Sequence, residues 1–369
     1  MEEASKVWVV IGLIAIGILI LAYGYIGITG KVVSEVSVEN AVKIGFMAPL
    51  TGDAASYGNS IKRGVDLALE DSRLENVKVI YEDSGCEGKA TASSAQKLIN
   101  IDKVIAIVGE VCSGATLAAA PIAEAGKVVM ISSSSTSPKI TESGDYIFRT
   151  VPSDALQGDF AGKLIYEKGF KKLAILYPDE DYGVGLEQVL RETFIELGGQ
   201  LAASEAFERG STDMRTQLTK IKSQNPDAIY IISNSPDSAV AVLKQIKELR
   251  IKSALFGSEG LKGPEVAGTS AAEGLIITSV SAGTSAFAAK HKAFYGEEPG
   301  PFAAQAYDAF TAIAKALEKG AKTGEEIKEQ LYITGFSGAS GLIKFDGNGD
   351  IAGNYDVYEL KNGKFVLIS

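Results

Sequence analysis

Two polar loops carry the residue types that bind a small anion. Glu110–Thr116 (EVCSGAT) follows the apolar run VIAIVG and precedes a helical pattern, and Ser132–Ser137 (SSSSTS) follows VVMI. A hydroxyl group beside free backbone amides at a helix N-terminus forms a site for a carboxylate. Two ordinary readings stand beside this one: Ser113 caps the helix, and the serine run forms a plain turn.

A glutamate in a third loop supplies the opposite charge. Glu259 lies just past a predicted strand, between Gly257 and Gly260. Loop glutamates are usually solvated, but a carboxylate that faces a cleft binds an ammonium group through charge-assisted hydrogen bonds. An anion cradle opposed by a carboxylate matches the two ends of a zwitterion.

Residues for catalysis or metal binding are scarce. His291 is the single histidine, and we expect it to be a solvated surface residue. One histidine and two cysteines compose neither a zinc cluster nor a Cys–His dyad, and no G-x-S-x-G elbow surrounds a serine. Segment 109–114 lacks the lysine of a phosphate loop, and 346–350 is expected to be a hairpin turn rather than a calcium loop. The sequence predicts a binding protein, not an enzyme, with no cofactor and no metal.

Alternating strands and helices must position these loops. From Lys43 onward, short β-rich runs alternate with amphipathic stretches, which predicts an α/β fold with parallel sheets covered by helices. The predicted strands are KIGFMA, VKVIYE, VIAIVG, VVMIS, KLAILY, AIYIIS and LIITSV, followed near the C-terminus by GLIKFD, YDVYEL and KFVLI. A chain of 369 residues exceeds one ordinary core. Two α/β units that face each other define one cleft, because ligands bind at the carboxyl ends of parallel strands.

The first residues predict a membrane anchor. Val7–Ile28 carries no charged side chain and would span ~33 Å as a helix, about the thickness of a hydrocarbon core. A cleaved signal peptide is the alternative, which the acidic Glu2 and Glu3 and the length of the run disfavour. We expect an uncleaved anchor over 1–28 and a polar spacer over 29–42.

Cysteine usage and charge bear on the compartment and the partners. Cys86 and Cys112 follow predicted strands and are either buried free thiols or, behind an export segment, a disulfide. Such a bond would close about 27 residues and stabilise by ~3 kcal/mol in the chain-entropy model. A net charge of −10 argues against nucleic acid as a partner. We therefore expect the body outside the cytoplasm, held at the cell membrane by the anchor.

Several segments together resemble the leucine/isoleucine/valine-type substrate-binding proteins of ABC importers. The resemblance is carried, in order, by KIGFMAPLTGDAASYGNSIKRGVDLAL, GEVCSGATLAAAPIAEAGKVVMISSSSTSP, YIFRTVPSDALQGDFA, YPDEDYGVGLEQ, LFGSEGL and AAEGLIIT. It implies a type I periplasmic-binding fold with two doubly wound lobes, 43–150 plus 281–338 and 151–280 plus 339–369, joined by three crossovers. It also implies capture of a branched-chain or other hydrophobic amino acid by hinge closure and delivery to permease subunits.

The resemblance assigns individual roles as well. It implies that the ligand carboxylate binds Ser113 and Thr136, and that the ligand ammonium binds Glu259 and the Ser134 carbonyl. It also implies that Tyr182 closes over the ligand from the second lobe, while Tyr57 and Phe302 line the side-chain pocket. Finally, it implies a disulfide between Cys86 and Cys112. Asn234 stands where leucine-binding members carry an aromatic residue, which puts a purely aliphatic preference in doubt. A sensor ectodomain and a binder of an amide, a urea or an aromatic acid remain the alternatives.

Overall fold

The computed structural model of the protein describes residues 41–368. The predicted anchor and nearly all of the predicted spacer lie outside these described residues. Within 41–368, no helix has the length and apolar character needed to cross a bilayer.

The first sheet has five parallel strands in the order β2-β1-β3-β4-β5. Its strands are β1 Val42–Ala48, β2 Val77–Asp83, β3 Ala106–Val108, β4 Val129–Ser132 and β5 Ile147–Arg149. Strands β3 and β4 are buried throughout, as expected for a parallel sheet that is covered on both faces. The intervening helices are α1 Ala55–Ser72, α2 Gly88–Gln96 and α3 Ser113–Gly126.

The second sheet has seven strands in the order β14-β13-β10-β9-β8-β6-β7. Its parallel strands are β6 Lys172–Pro178, β7 Gln200–Phe207, β8 Ala228–Ile231, β9 Ala254–Gly257 and β10 Ile276–Val280. The helices of this part of the chain are α4 Asp154–Glu167, α5 Asp181–Glu196, α6 Arg215–Gln224, α7 Pro236–Glu248 and the single turn α8 Pro264–Ala267. The hairpin β13 Tyr355–Lys361 and β14 Lys364–Leu367 adds antiparallel to β10. Asn362 and Gly363, both with positive φ, form its two-residue turn.

The chain returns to the first sheet before it makes this hairpin. After β10 come α9 Ser285–Tyr295, α10 Ala303–Glu318 and α11 Gly324–Ile333. Helix α10 packs along α1, and at Gly64 a Cβ atom would lie 2.2 Å from the carbonyl oxygen of Ala303, so only glycine permits this approach. We call each sheet with the helices packed on it a lobe. The chain crosses between the lobes after β5, after β10 and again before β13.

Some predicted elements differ from the structure. All seven predicted strands of the parallel sheets form, but that set lacked β5, β7 and β9, although Glu259 was expected to lie just past a strand. Strand β5 has only three residues, and β7 is an edge strand whose alanines and serines carry little β signal. GLIKFD yields only the two-residue strand β12 Leu342–Ile343, which pairs with β11 Phe336–Ser337, and a bridge between Phe345 and Ile351.

The expected position of His291 was wrong. The side chain is only 1% exposed, and its ring centroid lies 4.8 Å from that of Tyr295 and 5.9 Å from that of Phe287. Its Nδ1 atom lies 3.0 Å from the carbonyl oxygen of Glu297. Helix α9 turns this face inward, toward the apolar cluster of Phe287 with the start of α10, so the polar neighbours in sequence gave a misleading signal.

A buried arginine joins the loop after β4 to the loop before β13. The Arg149 guanidinium pairs bidentately with Asp350, with Nε–Oδ1 2.6 Å and Nη2–Oδ2 2.8 Å. Its Nη1 donates to the carbonyl oxygens of Thr136 and Ser137, each at 3.0 Å. One fully buried cation therefore fixes the backbone of the hydroxyl-rich loop.

Removal of the carboxylate should expose the cost of burying this cation. We expect Asp350→Asn, which keeps the shape, to lower the free energy of unfolding by about 3 kcal/mol, because the buried guanidinium loses its counter-charge. Urea denaturation measures the change. Asp159→Asn is the matched control, since Asp159 pairs with Lys163 on an exposed helix face, and its loss should cost less than about 0.5 kcal/mol. Equal effects of the two substitutions would contradict this role.

Candidate functional site

One cavity lies between the two lobes, beside the loops that follow their strands. Its empty space, including the open mouth, is about 470 Å³. It is lined by Ala54, Tyr57, Val111, Cys112, Ser113, Ser134, Glu180, Tyr182, Ser233, Asn234, Glu259, Gly260 and Phe302. Seven of the eight residues expected to bind ligand are in this set, and Thr136 is not.

The first polar corner of the cavity is built by the start of α3. Ser113 is the first residue of this 14-residue helix, Cys112 occupies the cap position, and no side-chain cap is formed. Ser113 Oγ accepts a hydrogen bond from the backbone N–H of Ser137 at 3.2 Å, which leaves its hydroxyl proton for another acceptor. The positive end of the helix dipole and this hydroxyl together favour an anion.

Ser134 and Thr136 contribute differently to this corner. Ser134 donates its hydroxyl proton to the carbonyl oxygen of Val111 at 3.0 Å, so it joins the two loops. Thr136 lies behind the cavity wall. Its Oγ1 is buried without a hydrogen-bond partner among the described residues, and its carbonyl accepts from the backbone N–H of Asp154 at 2.8 Å.

A buried carboxylate that sequence reasoning missed shapes the same loop. Glu110 Oε2 accepts from the backbone N–H groups of Val111 at 2.6 Å and Cys112 at 2.9 Å, and Oε1 accepts from the Ser84 hydroxyl. Burial raises the Glu110 pKa to about 7, although these hydrogen bonds act to lower it. The only sequence signal was an acid placed directly after a buried strand.

A disulfide ties this loop to its neighbour. Cys86 and Cys112 are bonded, with Cα atoms 5.5 Å apart. Their sulfur atoms and the Glu110 carboxylate are close enough to surround a metal ion, but a disulfide offers no thiolate to bind one. The group therefore fixes the loop mechanically.

The second polar corner is the Glu259 carboxylate. Glu259 is buried, Oε1 lies 2.9 Å from the Tyr182 hydroxyl, and Oε2 accepts from Gln157 Nε2 at 2.5 Å. Burial raises the pKa of Glu259 above its ordinary 4.5. Gln157 was not anticipated from sequence; it lies one helical turn into α4 and also donates to the Thr278 carbonyl at 3.2 Å.

A second buried carboxyl group, Asp154, lies close enough to Glu259 for the charge of Glu259 to act on its pKa. Both carboxylate oxygens of Asp154 are buried and have no hydrogen-bond partner within 41–368. Burial, and then the charge of Glu259, raise the pKa of Asp154 well above its ordinary 3.8. A cation brought beside these groups would therefore be strongly favoured.

Aromatic rings form part of the cavity wall and link the lobes. The Tyr57 hydroxyl donates to the carbonyl oxygen of Gly260 at 3.1 Å across the cleft, and the Phe302 ring lies 6.3 Å from the Tyr57 ring. At Gly260 a Cβ atom would lie only 1.6 Å from the Ser233 carbonyl oxygen, so this close packing of two loops requires glycine.

A third polar corner involves two residues that sequence reasoning missed. Asn234 Nδ2 donates to Glu180 Oε1, and Glu180 Oε2 lies 3.8 Å from Arg209 Nε. Arg209 reaches the first lobe, where Nη1 donates to the Cys86 carbonyl and Nη2 to Asp53 Oδ1, each at 2.9 Å. Burial raises the Glu180 pKa to about 7, although the positive charge of Arg209 acts to lower it.

Comparisons with known proteins agree with this geometry. The chain matches the model of the periplasmic binding protein family over residues 41–364. It is 32% identical over 345 residues to the leucine-, isoleucine-, valine-, threonine-, and alanine-binding protein of Pseudomonas aeruginosa, covering 87% of this chain and 90% of that protein.

Solved structures agree as well. A leucine binding protein from Thermotoga maritima superposes with a TM-score of 0.84 at 32% identity, covering 89% of this chain and 98% of that one. A branched-chain amino acid transporter substrate binding protein from Streptococcus pneumoniae, in complex with isoleucine, gives a TM-score of 0.80 at 30% identity, covering 89% of this chain and 99% of that one. The two-lobed α/β body with its interlobe cavity therefore belongs to the periplasmic binding protein family, which comprises solute-binding proteins.

Proposed function

We propose that this chain is the extracytoplasmic solute-binding component of an ABC importer and that it captures a free amino acid in the interlobe cavity. The observation that carries the proposal is the placement of the Glu259 carboxylate and the N-terminus of α3 around one cavity. A free amino acid carries one positive and one negative charge. The Glu259 corner attracts its ammonium group, and the corner at the start of α3 attracts its carboxylate. The names of the relatives support the same ligand class.

The ligand contacts follow from the groups that are free to make them. The Ser113 hydroxyl and the first backbone amides of α3 bind the α-carboxylate. Glu259, with the carbonyl oxygen of Ser134, binds the α-ammonium, and each charge-assisted hydrogen bond contributes about 1.5–3 kcal/mol. Thr136 supports the corner from behind the wall. Tyr57 and Phe302 cover the carbons of a branched-chain or other hydrophobic side chain.

Closure of the two lobes excludes water from these contacts. Polar contacts already join the lobes, among them Tyr57 with Gly260, Arg209 with Asp53 and with the Cys86 carbonyl, and Lys139 with Asp181 at 2.7 Å. A ligand that touches both lobes only when they are closed shifts the hinge equilibrium toward closure.

The proposal includes the wider arrangement of the chain. The lobes comprise 43–150 plus 281–338 and 151–280 plus 339–369. The anchor over 1–28 and the spacer over 29–42 hold them outside the cytoplasm at the cell membrane, where the loaded protein meets permease subunits. The chain acts by binding and release, without catalysis.

Glu259 provides the first test of the ammonium site. We expect Glu259→Gln to weaken amino-acid binding at least tenfold, about 1.4 kcal/mol, because the amide keeps the shape and loses the charge. Titration calorimetry measures the affinity. Glu265→Gln, an exposed glutamate in the same segment, is the matched control and should bind as the wild type does. Unchanged affinity in Glu259→Gln would remove this residue from the site.

Ser113 provides a separate test of the carboxylate site. We expect the wild type to bind an amino acid at least tenfold more tightly than the corresponding amino-acid amide, since the amide lacks the anion. Ser113→Ala should bind the amino acid more weakly and reduce this preference, because the hydroxyl donor is gone. The same calorimetric assay, with benzoate as a further ligand, distinguishes an aromatic-acid binder. Tight binding of benzoate or of the amide by the wild type would contradict the zwitterion site.

Acidification should weaken binding through Glu259. Its pKa is raised above 4.5 by burial, and Asp154, Tyr182 and Gln157 around it carry no positive charge. Only the ionised carboxylate attracts an ammonium group, so affinity is full above the raised pKa and falls as the pH drops through it. Calorimetry at pH values lowered in steps from about 8 should show this decline in the wild type and a flatter profile in Glu259→Gln. Identical profiles would exclude Glu259 as the titrating group.

A further inference from the structure

The third polar corner holds a buried hydrogen-bond acceptor, Asn234 Oδ1, that no described residue pairs with. Asn234 directs its amide nitrogen at Glu180 Oε1, and an ionised carboxylate only accepts, so the orientation of the amide is fixed. Asn234 Oδ1 therefore faces away from Glu180. This oxygen is buried and has no hydrogen-bond partner within 41–368.

Arg209 does not supply the missing donor. Its Nη1 and Nη2 groups donate to the Cys86 carbonyl and to Asp53, and its Nε faces Glu180 at 3.8 Å. None of the guanidinium N–H groups donates to Asn234 Oδ1, which stays unpaired in the part of the chain that the structure describes. Asn234 and Glu180 both line the cavity, so this unpaired acceptor belongs to a residue of the cavity wall.

The third corner lies where the side chain of a bound amino acid would reach. A zwitterion occupies the first two corners with its carboxylate and ammonium groups, at Ser113 and Glu259. Arg209 places the Glu180–Asn234 pair beside the Cys86 carbonyl, next to the disulfide and thus to the Cys112 wall of the same cavity. Between the corners the lining is largely apolar, with Ala54, Val111 and Phe302.

We infer that Asn234 is a specificity-determining residue that selects an amino acid whose side chain ends in a neutral hydrogen-bond donor, a hydroxyl or a carboxamide. The inference rests on the proposed function: it keeps a free amino acid as the ligand but replaces the hydrophobic side chain proposed there with one that ends in a donor. A buried acceptor that stays unpaired in the complex is costly, so a site of this kind rejects apolar ligands of the same shape. The Arg209 guanidinium disfavours a cationic side chain at the same corner.

Isosteric pairs of ligands test this selection directly. Threonine and valine differ by a hydroxyl in place of a methyl, and asparagine and leucine differ by a carboxamide in place of an isopropyl group. Calorimetry on the full-length chain at about pH 8, above the Glu180 pKa of about 7, keeps Glu180 ionised. We expect the donor-bearing member of at least one pair to bind at least tenfold more tightly than its apolar partner.

Substitution of the corner should abolish the preference while amino-acid binding persists. In Asn234→Leu the donor-to-apolar affinity ratio should fall about tenfold or more, because the acceptor is replaced by an apolar group. Glu180→Gln keeps the volume and frees the Asn234 amide to turn, so the ratio should fall here as well. Asn59→Leu, an exposed position on α1, is the control and should keep the wild-type ratio.

The outcomes separate this inference from the function on which it rests. If amino acids bind but valine and leucine match or exceed their isosteres, and Asn234→Leu leaves the ratios unchanged, the selection is wrong and the proposed function stands. Tight binding confined to lysine or arginine also overturns the neutral-donor assignment. If no amino acid binds the wild type, the proposed function fails, and this inference fails with it.

Discussion

Burial of negative charge without a matching cation is the constraint on which this site depends. Glu259 and Asp154 are both buried, and each raises the cost of ionising nearby groups; burial itself is the largest cause of their raised pKa values. Gln157 and Tyr182 contact the Glu259 carboxylate with neutral dipoles only. In the proposed function, a ligand ammonium group supplies the counter-charge to Glu259 that the described residues do not supply.

Two arginines near the site pair with carboxylates other than Glu259. Arg149 is fully buried, is neutralised by Asp350, and fixes the backbone of the hydroxyl-rich loop. Arg209 lies at the edge of the cleft and divides its donors between the lobes. Neither guanidinium neutralises Glu259, because each is bound to another carboxylate. Both arginines thus fix the surrounding loops, and neither places a positive charge on the Glu259 carboxylate.

Much of this arrangement could be predicted from sequence, and the exceptions share a physical cause. Apolar runs in alternation with amphipathic stretches predicted the parallel strands, and the motifs around Ser113, Glu259 and Tyr182 predicted their placement at one cavity. Gln157, Glu180 and Arg209 were missed because their roles depend on partners far away in the chain, such as Glu259 for Gln157, 102 residues later. His291 was misplaced because the polar residues beside it in sequence suggested an exposed helix face, whereas its ring packs with Phe287 and Tyr295, one turn away in each direction.

The contacts that Arg209 makes across the cleft affect the equilibrium between the open and closed arrangements of the lobes. Its bonds to Asp53 and to the Cys86 carbonyl join the two lobes through protein atoms alone. Such contacts stabilise the closed arrangement by the same amount with and without a solute. A weaker or stronger Arg209 contact would therefore shift the hinge equilibrium of the unliganded protein, and with it the apparent affinity for solute.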